Sequence, residues 1–421
     1  MEELICENII LKSIEEEMAS ELFEIVGSEE VVRFMSMDPF PDEEFTESCI
    51  RRWKENEGKP GLYVYGVFEK ESGSLVGLIN TCGMHNGSPA IGYCFNKKVW
   101  GRGYATQALR AFCGKLFRDG YDTLVIGAVR ENIASNCVIK KCGFGYVGSV
   151  EEVLSERKPD PVVCLDYRLL KADGRQSELR AAEQALEELF SSSSPFSENI
   201  IKYSDEKLPD MYDLNQFVCS DGASEKEIEA AVEYARAQGA GFVKLECRKA
   251  LPKRLADRLG LSESCDLTMV HTVGSISDWT KNTQLSFRNL KSSPIEDDLK
   301  TLECWLFAKD YGEDFTLRKT DRWTELARGN SGLNFYAAYL DGRIAGSLYC
   351  FRYGDYLLID NLAVDEACRH RYVATSLLAE CIQKEGGIPF LHADPDDTPK
   401  EMYVKLGFRL ADYKYNYFGN L

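Results

Sequence analysis

The sequence predicts an α/β fold with a mixed, α+β-type sheet, carried in tandem, and three observations predict it. A strand-like segment (Ile91, Tyr93, Phe95) runs into Gly101 and Gly103. These open a helix whose apolar residues Ala108, Leu109, Phe112, Cys113, Leu116 and Phe117 fall on one helical face. Residues 61–96 alternate apolar and polar between the breaks Glu71-Ser72-Gly73 and His85-Asn86-Gly87, as an antiparallel meander does. The same outline of hairpin, strand, helix and Gly-Phe ending returns near the C-terminus, where Leu406-Gly407-Phe408 answers Cys142-Gly143-Phe144.

Composition bounds the possibilities. At 421 residues the chain is too long for one compact core, so two or three domains are expected. No apolar run approaches the ~20 residues of a membrane span. The acidic start MEELICENIILKSIEEE lacks the basic segment of a secretion signal. A net charge of −18 argues against a nucleic-acid partner and suits a cationic one such as an amine. Fifteen cysteines include no C-x-x-C pair, and four scattered histidines complete no metal site. The cysteines are expected as free thiols in a reducing cytoplasm.

Along the chain, residues 1–57 read as acidic helices: Ile14 to Ile25, Glu29 to Met37, and a third opened by Pro41-Asp42-Glu43-Glu44 and ending near Trp53. After the meander, the glycine turn and helix N-terminus present unpaired backbone N–H groups and the positive end of a helix dipole, which suits a pyrophosphate. Lys97, Lys98 and Arg102 add positive charge beside it. His85, alone in a turn, reads as a solvated loop residue ahead of a general base. A β run (Thr123 to Val129) and a short helix introduced by Asn132 follow. Strands near Tyr146 to Val153 and Val162 to Leu170 close a first domain, 1–172. Residues 173–195 read as a linker helix, Ser177 to Phe190, and a flexible Ser-rich stop.

The remainder repeats this plan. Residues 281–421 hold a hairpin around Asp341-Gly342, a strand from Tyr356 to Val364, a helix from Arg371 to Ile382 and the Gly-Phe ending. Residues 196–280 look like a partial third copy: a helix from Glu225 to Gln238, strand Gly241 to Cys247, helix Leu251 to Leu259 and strand Leu267 to Val273. No glycine loop precedes its first helix.

The loop Trp100-Gly101-Arg102-Gly103-Tyr104-Ala105, followed by Asn132-Ile133-Ala134-Ser135 and Gly143-Phe144, resembles the GNAT acetyltransferases, and within them the Rim-type branch that acetylates protein N-termini. Trp100 stands where many members carry Gln or Arg, a departure that branch often shows. The resemblance implies acetyl-CoA as co-substrate and no metal. Its pantetheine would bond backbone near Cys94 and Phe95, and its pyrophosphate would lie on Gly101, Arg102, Gly103, Tyr104, Ala105 and Thr106. Asn132 would face the pantetheine or thiol, and Ser135 would protonate the departing sulfur. Asn132 is equally a fitting N-cap with Ser135 in the first turn. Glu151 or Glu152 could feed a water acting as base.

The segment 281–421 resembles a second GNAT domain. Tyr403 stands where the leaving-group acid is often found, a place held by Ile139 in the first. Superposing Ala374-Thr375 on Ala105-Thr106 puts His370 and Tyr372 over the two glycines, with Val364, Arg369, Arg371, Ala374 and Thr375 as the second cofactor set. Side chains at the glycine positions would weaken or reshape binding there. Asp394, Asp396 and Asp397 suggest either an amine-attracting wall or helix-dipole charges ahead of a Thr398/Glu401 capping box. The expectation is therefore a cytoplasmic N-acetyltransferase, its first domain the active copy. Its acceptor would be a primary amine, either a peptide N-terminus or a small amine such as a polyamine or aminoglycoside. The alternative is a non-catalytic acyl-CoA sensor or scaffold in the C-terminal part.

Overall fold

The computed structural model describes residues 2–421 apart from 86, 172–173, 331 and 397–398. The chain divides into two compact units, Met1–Ala172 and Asp173–Leu421.

In the first unit β1 (Leu4–Ile5), β2 (Ile9–Lys12), α1 (Ala19–Val26), α2 (Glu29–Val32) and α3 (Glu43–Glu55) precede the meander β3 (Val64–Glu69), β4 (Leu75–His85) and β5 (Ser88–Phe95). Then come α4 (Tyr104–Arg118), β6 (Thr123–Val129), α5 (Ile133–Lys141), β7 (Gly145–Glu152) and β8 (Val162–Leu170). Their sheet has the order β1-β2-β3-β4-β5-β6-β8-β7. The first two strands correct the expectation that residues 1–57 are helical. Leu11 pairs with Leu4 on one side and Val67 on the other, and Ile9 and Leu11 are fully buried. Two β-branched isoleucines followed by Leu11, buried at alternate positions, favour that state.

Both faces of this sheet are covered. Tyr65 and Val67 of β3 belong to the core beneath α4, with Leu109, Phe112 and Leu116. Val64 and Phe68 belong to another beneath α1 and α3, with Leu22, Ile25 and Ile50. Odd and even positions thus serve opposite faces, as a pleated strand requires. Each such side chain contributes roughly 1.5–3 kcal/mol on burial, more than helix propensity alone supplies. The α3 N-terminus is fixed by Asp42, whose carboxylate accepts from the Phe45 N–H at 2.7 Å, with Glu43 and Glu44 in the first turn.

The second unit begins with α6 (Gly174–Phe190), β9 (Ser192–Pro195), β10 (Ile200–Ser204), β11 (Phe217–Cys219), α7 (Glu225–Ala237), β12 (Phe242–Cys247), α8 (Lys253–Leu259) and β13 (Ser262–His271). It continues with β14 (Ser286–Asn289), α9 (Glu296–Tyr311), α10 (Glu313–Gly329), β15 (Leu333–Leu340), β16 (Arg343–Tyr353) and β17 (Tyr356–Val364). It ends with α11 (Val373–Glu385), β18 (Ile388–Ala393), α12 (Pro399–Lys405) and β19 (Phe408–Asn420). The sheet order is β14-β15-β16-β17-β18-β13-β19-β12-β11-β10-β9. The β15–β16 turn has Asp341 at φ 51° and Gly342 at φ 79°, both left-handed as the tightest hairpin turn demands.

The order β11-α7-β12-α8-β13 repeats as β17-α11-β18-α12-β19, with β11/β12 and β17/β18 each parallel. Each half lends its last strand to the other: β19 lies between β12 and β13, and β13 between β18 and β19. The partial copy at 196–280 is thus woven into one sheet with 281–421. The helix and serines of 173–195 are not a linker. Leu179, Ala182, Leu186 and Phe190 are buried in the second unit's core, because their spacing makes one apolar face that needs a partner. Ser192–Pro195 pairs with β10 as an edge strand, and Ser191 Oγ donates to the Leu214 carbonyl at 2.9 Å.

Candidate functional site

Among the described residues of the first unit, the parallel strands β5 and β6 pair only through Ala90 and Val125 and then part. The loop after β5 leads into α4. Gly101 and Gly103 both hold φ 80°, a left-handed backbone that suits glycine, and a Cβ at either would meet nothing within 4 Å. Gly103 is the N-cap of α4 and no side chain caps it. The first-turn N–H groups at Tyr104, Ala105 and Thr106 therefore face an open cradle, which fits a phosphate.

The expected cations are already paired: Arg102 with Glu69 at 3.1 Å, Lys97 with Glu30 at 2.7 Å and Lys98 with Glu24 at 3.4 Å. All three are well exposed, so these pairs are weak and exchangeable. Glu69 also accepts from the Tyr104 hydroxyl at 2.7 Å. Cys94 is buried in β5, and the Phe95 carbonyl accepts from the Trp100 indole N–H at 2.8 Å.

Ser135 separates the two roles left open by the sequence. The cap is Asn132, whose Oδ1 accepts from the Ser135 N–H at 3.2 Å. The Ser135 hydroxyl instead shares a hydrogen bond of 2.9 Å with the Tyr93 hydroxyl on β5. Burial pushes Tyr93 up to about 12, so it keeps its proton. The sequence marks Tyr93 only as a strand residue, and nothing local joins it to Ser135. Asn136, also missed, donates to the Val129 and Asn132 carbonyls at 3.0 and 2.9 Å and accepts from Tyr167 at 2.8 Å, fixing the β6–α5 turn. His85, Glu151 and Glu152 are exposed on strand ends. A crevice beside α3 and β3, lined by Ile50, Trp53 and Leu62, measures about 20 Å³.

In the second unit the loop before α11 keeps the first loop's backbone without its glycines. His370 and Tyr372 hold φ 60° and 59° at the positions of Gly101 and Gly103, and Tyr372 is an uncapped N-cap. Left-handed backbone costs a non-glycine residue about 1–2 kcal/mol, so the turn is held against strain. Arg369 pairs with Glu366 at 3.5 Å and Arg371 is exposed. Val364 ends β17, while Ala374 and Thr375 lie in the first turn of α11. Asn282 Nδ2 donates to the Arg371 carbonyl at 3.0 Å, its Oδ1 accepts from the Gln284 N–H at 2.9 Å, and its backbone N–H donates to Ser376 Oγ at 2.8 Å. Tyr403 is buried, its ring edge-on to Phe408. Asp394 accepts from the Asp396 N–H at 2.7 Å and both are exposed, while Asp397 and the Thr398 cap lie outside the described residues.

Strands β17 and β18 pair from Tyr356↔Ile388 to Ile359↔Leu391 and then diverge. Asn361, at φ 50°, sits in a bulge of β17 opposite β16. A cavity of about 760 Å³ lies against this divergence, lined among others by Asp360, Asn361, His392, Asp266, Gln216 and Asn416. Tyr403 is not part of its wall. Behind it, Glu183 of α6 pairs with Arg248 and lies 2.7 Å from His392 Nε2. Burial works to raise Glu183, yet Arg248, His392 and Lys414 hold it well below the usual carboxylate range. Neighbouring Glu187 is pushed up to about 8 by burial and by the Glu246 charge. None of these residues stands out in the sequence, because helix α6 and strands distant in the chain meet only in the folded unit.

Among the described residues no helix is long and apolar enough to cross a membrane, and no group of three or more His, Cys, Asp or Glu could hold a metal ion.

Models of the acetyltransferase (GNAT) domain match residues 8–145 and 331–410. An uncharacterized N-acetyltransferase, p20, of Bacillus licheniformis is 26% identical over 138 residues, which is 32% of this chain and 74% of that protein. Among solved structures, a functionally unknown conserved protein from Staphylococcus epidermidis aligns with 55% of this chain and 95% of its own, at 15% identity and a TM-score of 0.49. An acetyl transferase from Salmonella typhimurium, described as modifying the N-terminal serine of ribosomal protein L7/L12, aligns with 41% of this chain and 100% of its own, at 18% identity and a TM-score of 0.37.

Proposed function

The chain belongs to the GNAT acetyltransferases and is an acyltransferase, and from that premise we propose that its first unit moves an acetyl group from acetyl-CoA to a primary amine by direct attack on the thioester. The observation that carries this reading is the open, uncapped cradle of Gly101 to Thr106 beside the divergent β5 and β6. Ser135, backed by Tyr93, is the proton donor to the departing sulfur. A peptide N-terminus is the acceptor that the Rim-type loop favours. The fifteen free cysteines support a reducing, cytoplasmic setting.

Thioester release by the whole chain against a panel of amines and N-terminal peptides tests the reading. Arg102→Glu places a negative charge at the cradle and is expected to abolish first-unit turnover; unchanged turnover removes that loop from the mechanism. A second reading concerns the other unit, where the repeated left-handed residues His370 and Tyr372 favour retained acyl-CoA binding. Titrating acetyl-CoA into a Gly103→Val chain separates the cases. Heat without turnover identifies a sensor, heat with turnover a second enzyme, and no heat a scaffold.

A further inference from the structure

The cavity of the second unit has a chemistry that specifies an occupant. Its volume, about 760 Å³, lies within the range of small-molecule sites. Its walls come from both half-copies: Lys244, Ser264 and Asp266 from β12 and β13, and Asp360, His392 and Lys414 from β17, β18 and β19. The first residues beyond the last parallel pair, Asp360 and His392, both face into it. The chamber thus opens where β17 and β18 part, which is where the proposed co-substrate's thioester would lie.

Its cations are already answered and two of its anions are not. Lys244 pairs with Asp213, Lys319 lies 3.6 Å from Glu303, and Lys414 lies 2.7 Å from Glu246. Asp360 accepts from the Tyr349 hydroxyl at 2.7 Å and the Asn361 N–H at 2.6 Å; Asp266 accepts from Asn416 Nδ2 at 2.8 Å. Among the described residues neither has a cation at ion-pair distance. Two amide oxygens add to the demand. Gln216 is buried, and its Nε2 donates to Glu187 at 3.2 Å while its Oε1 has no hydrogen-bond partner. Asn416 gives its Nδ2 to Asp266 and leaves its Oδ1 likewise unpaired. Unpaired buried acceptors are costly, so these two oxygens call for N–H or O–H donors.

We propose that this chamber holds the acceptor of the second unit, a small primary amine rich in further ammonium or hydroxyl donors, with His392 as the base that receives its proton. The proposal rests on the reading of the chain as an acetyl-CoA-dependent transferase. Glu183, ionised and accepting only, takes the Nε2–H of His392 and leaves the lone pair on Nδ1. The ammonium gives one proton to Nδ1. The nitrogen then bonds to the acetyl carbon as the C–S bond breaks, and the nitrogen's second proton neutralises the departing thiolate. Glu183 is a positioning residue that fixes the ring's tautomer.

The test uses the whole chain carrying Gly103→Val, with spermidine, kanamycin and a serine-terminated peptide as acceptors. Calorimetry reads amine binding, and thioester release reads turnover. Spermidine or kanamycin, whichever fits, binds; Asp360→Asn weakens that binding at least tenfold, and Asp266→Asn, on another strand, repeats the test should the first variant unfold. His392→Gln lowers kcat by roughly 10²-fold or more with little change in KM. Glu183→Gln lowers kcat as well, while Glu183→Asp recovers part of it. Amine binding that these aspartate variants weaken, without turnover, keeps the chamber and removes the transfer reading. Turnover that is indifferent to both aspartates, or confined to the peptide, removes the chamber and keeps that reading. No amine binding and no turnover removes both.

Discussion

Ser135 uses its backbone N–H for the Asn132 cap and its hydroxyl for Tyr93, so one substitution can touch chemistry without touching the cap. Ser135→Ala is expected to lower first-unit kcat at least tenfold while shifting stability by no more than the ~1 kcal/mol of one hydrogen bond. Asn132→Ala should lose about 1 kcal/mol through the cap. Thermal melts beside single-turnover rates distinguish them, and an undiminished Ser135→Ala rate would leave the hydroxyl a structural part only. A second residue titrates. Glu187 moves from an ordinary 4.5 to about 8 in the folded chain, because burial and Glu246 disfavour its charge. Between those values the folded state holds a proton the unfolded state has released. Its contribution to stability is therefore complete at low pH and fades as pH rises through about 8. Melting temperature measured from about pH 5 to 9 should fall more steeply for the native chain than for Glu187→Gln, which has no proton to lose. Parallel profiles would show that Glu187 is ionised throughout.

At the scale of elements, the cradle before α4 is a balance between helix N–H groups, which attract phosphate, and Glu69, which occupies Arg102 and Tyr104. Glu69→Gln frees the guanidinium. Acetyl-CoA should then bind roughly two- to fivefold more tightly at low salt, with the gain gone near 1 M salt, as for any exposed ion pair. Equal affinity in both variants at low salt would place Arg102 outside the phosphate's reach. The elements legible in the sequence are those whose signal is local. The α4 stripe is buried at Ala108, Leu109, Phe112, Cys113 and Leu116, and Asp341-Gly342 forms the hairpin turn. Strands β1 and β2 were not legible, since two and four residues are too short to show alternation. The α9 helix buries Leu299 and Leu302 yet exposes Trp305 and Tyr311, so its apolar residues trace no single face. Of the candidate site, the glycine cradle could be read because a turn and a helix start are contiguous in the chain. The Glu183–His392 contact spans 209 positions and leaves no local trace.

Across the whole molecule, what sequence similarity presents as separate pieces is held as two units of unequal dependence. The first keeps its own eight-stranded sheet within Met1–Ala172. Residues 281–421 cannot do the same, because β13, from outside that segment, fills the place between β18 and β19 along registers from Ser262↔Phe418 to His271↔Phe408. Removing it would leave the edges that carry Phe390, Leu391, Tyr413, Tyr415 and Tyr417, which are otherwise buried, as unpaired strands open to aggregation. A cut at 196 keeps β13 but discards α6, and with it the buried faces of Leu179, Leu186 and Phe190 and the Glu183 carboxylate. Residues 1–171 alone and residues 174–421 alone are therefore expected to be soluble and to melt cooperatively. Residues 281–421 alone should aggregate, and residues 196–421 should lose several kcal/mol, at roughly 1.5–3 kcal/mol for each large side chain left uncovered. Size-exclusion profiles and calorimetric melts of the four fragments check this. A monomeric, cooperatively melting 281–421 would mean that the exchanged strands are not needed to complete the C-terminal fold, and that the two half-copies are joined by convenience of sequence order alone.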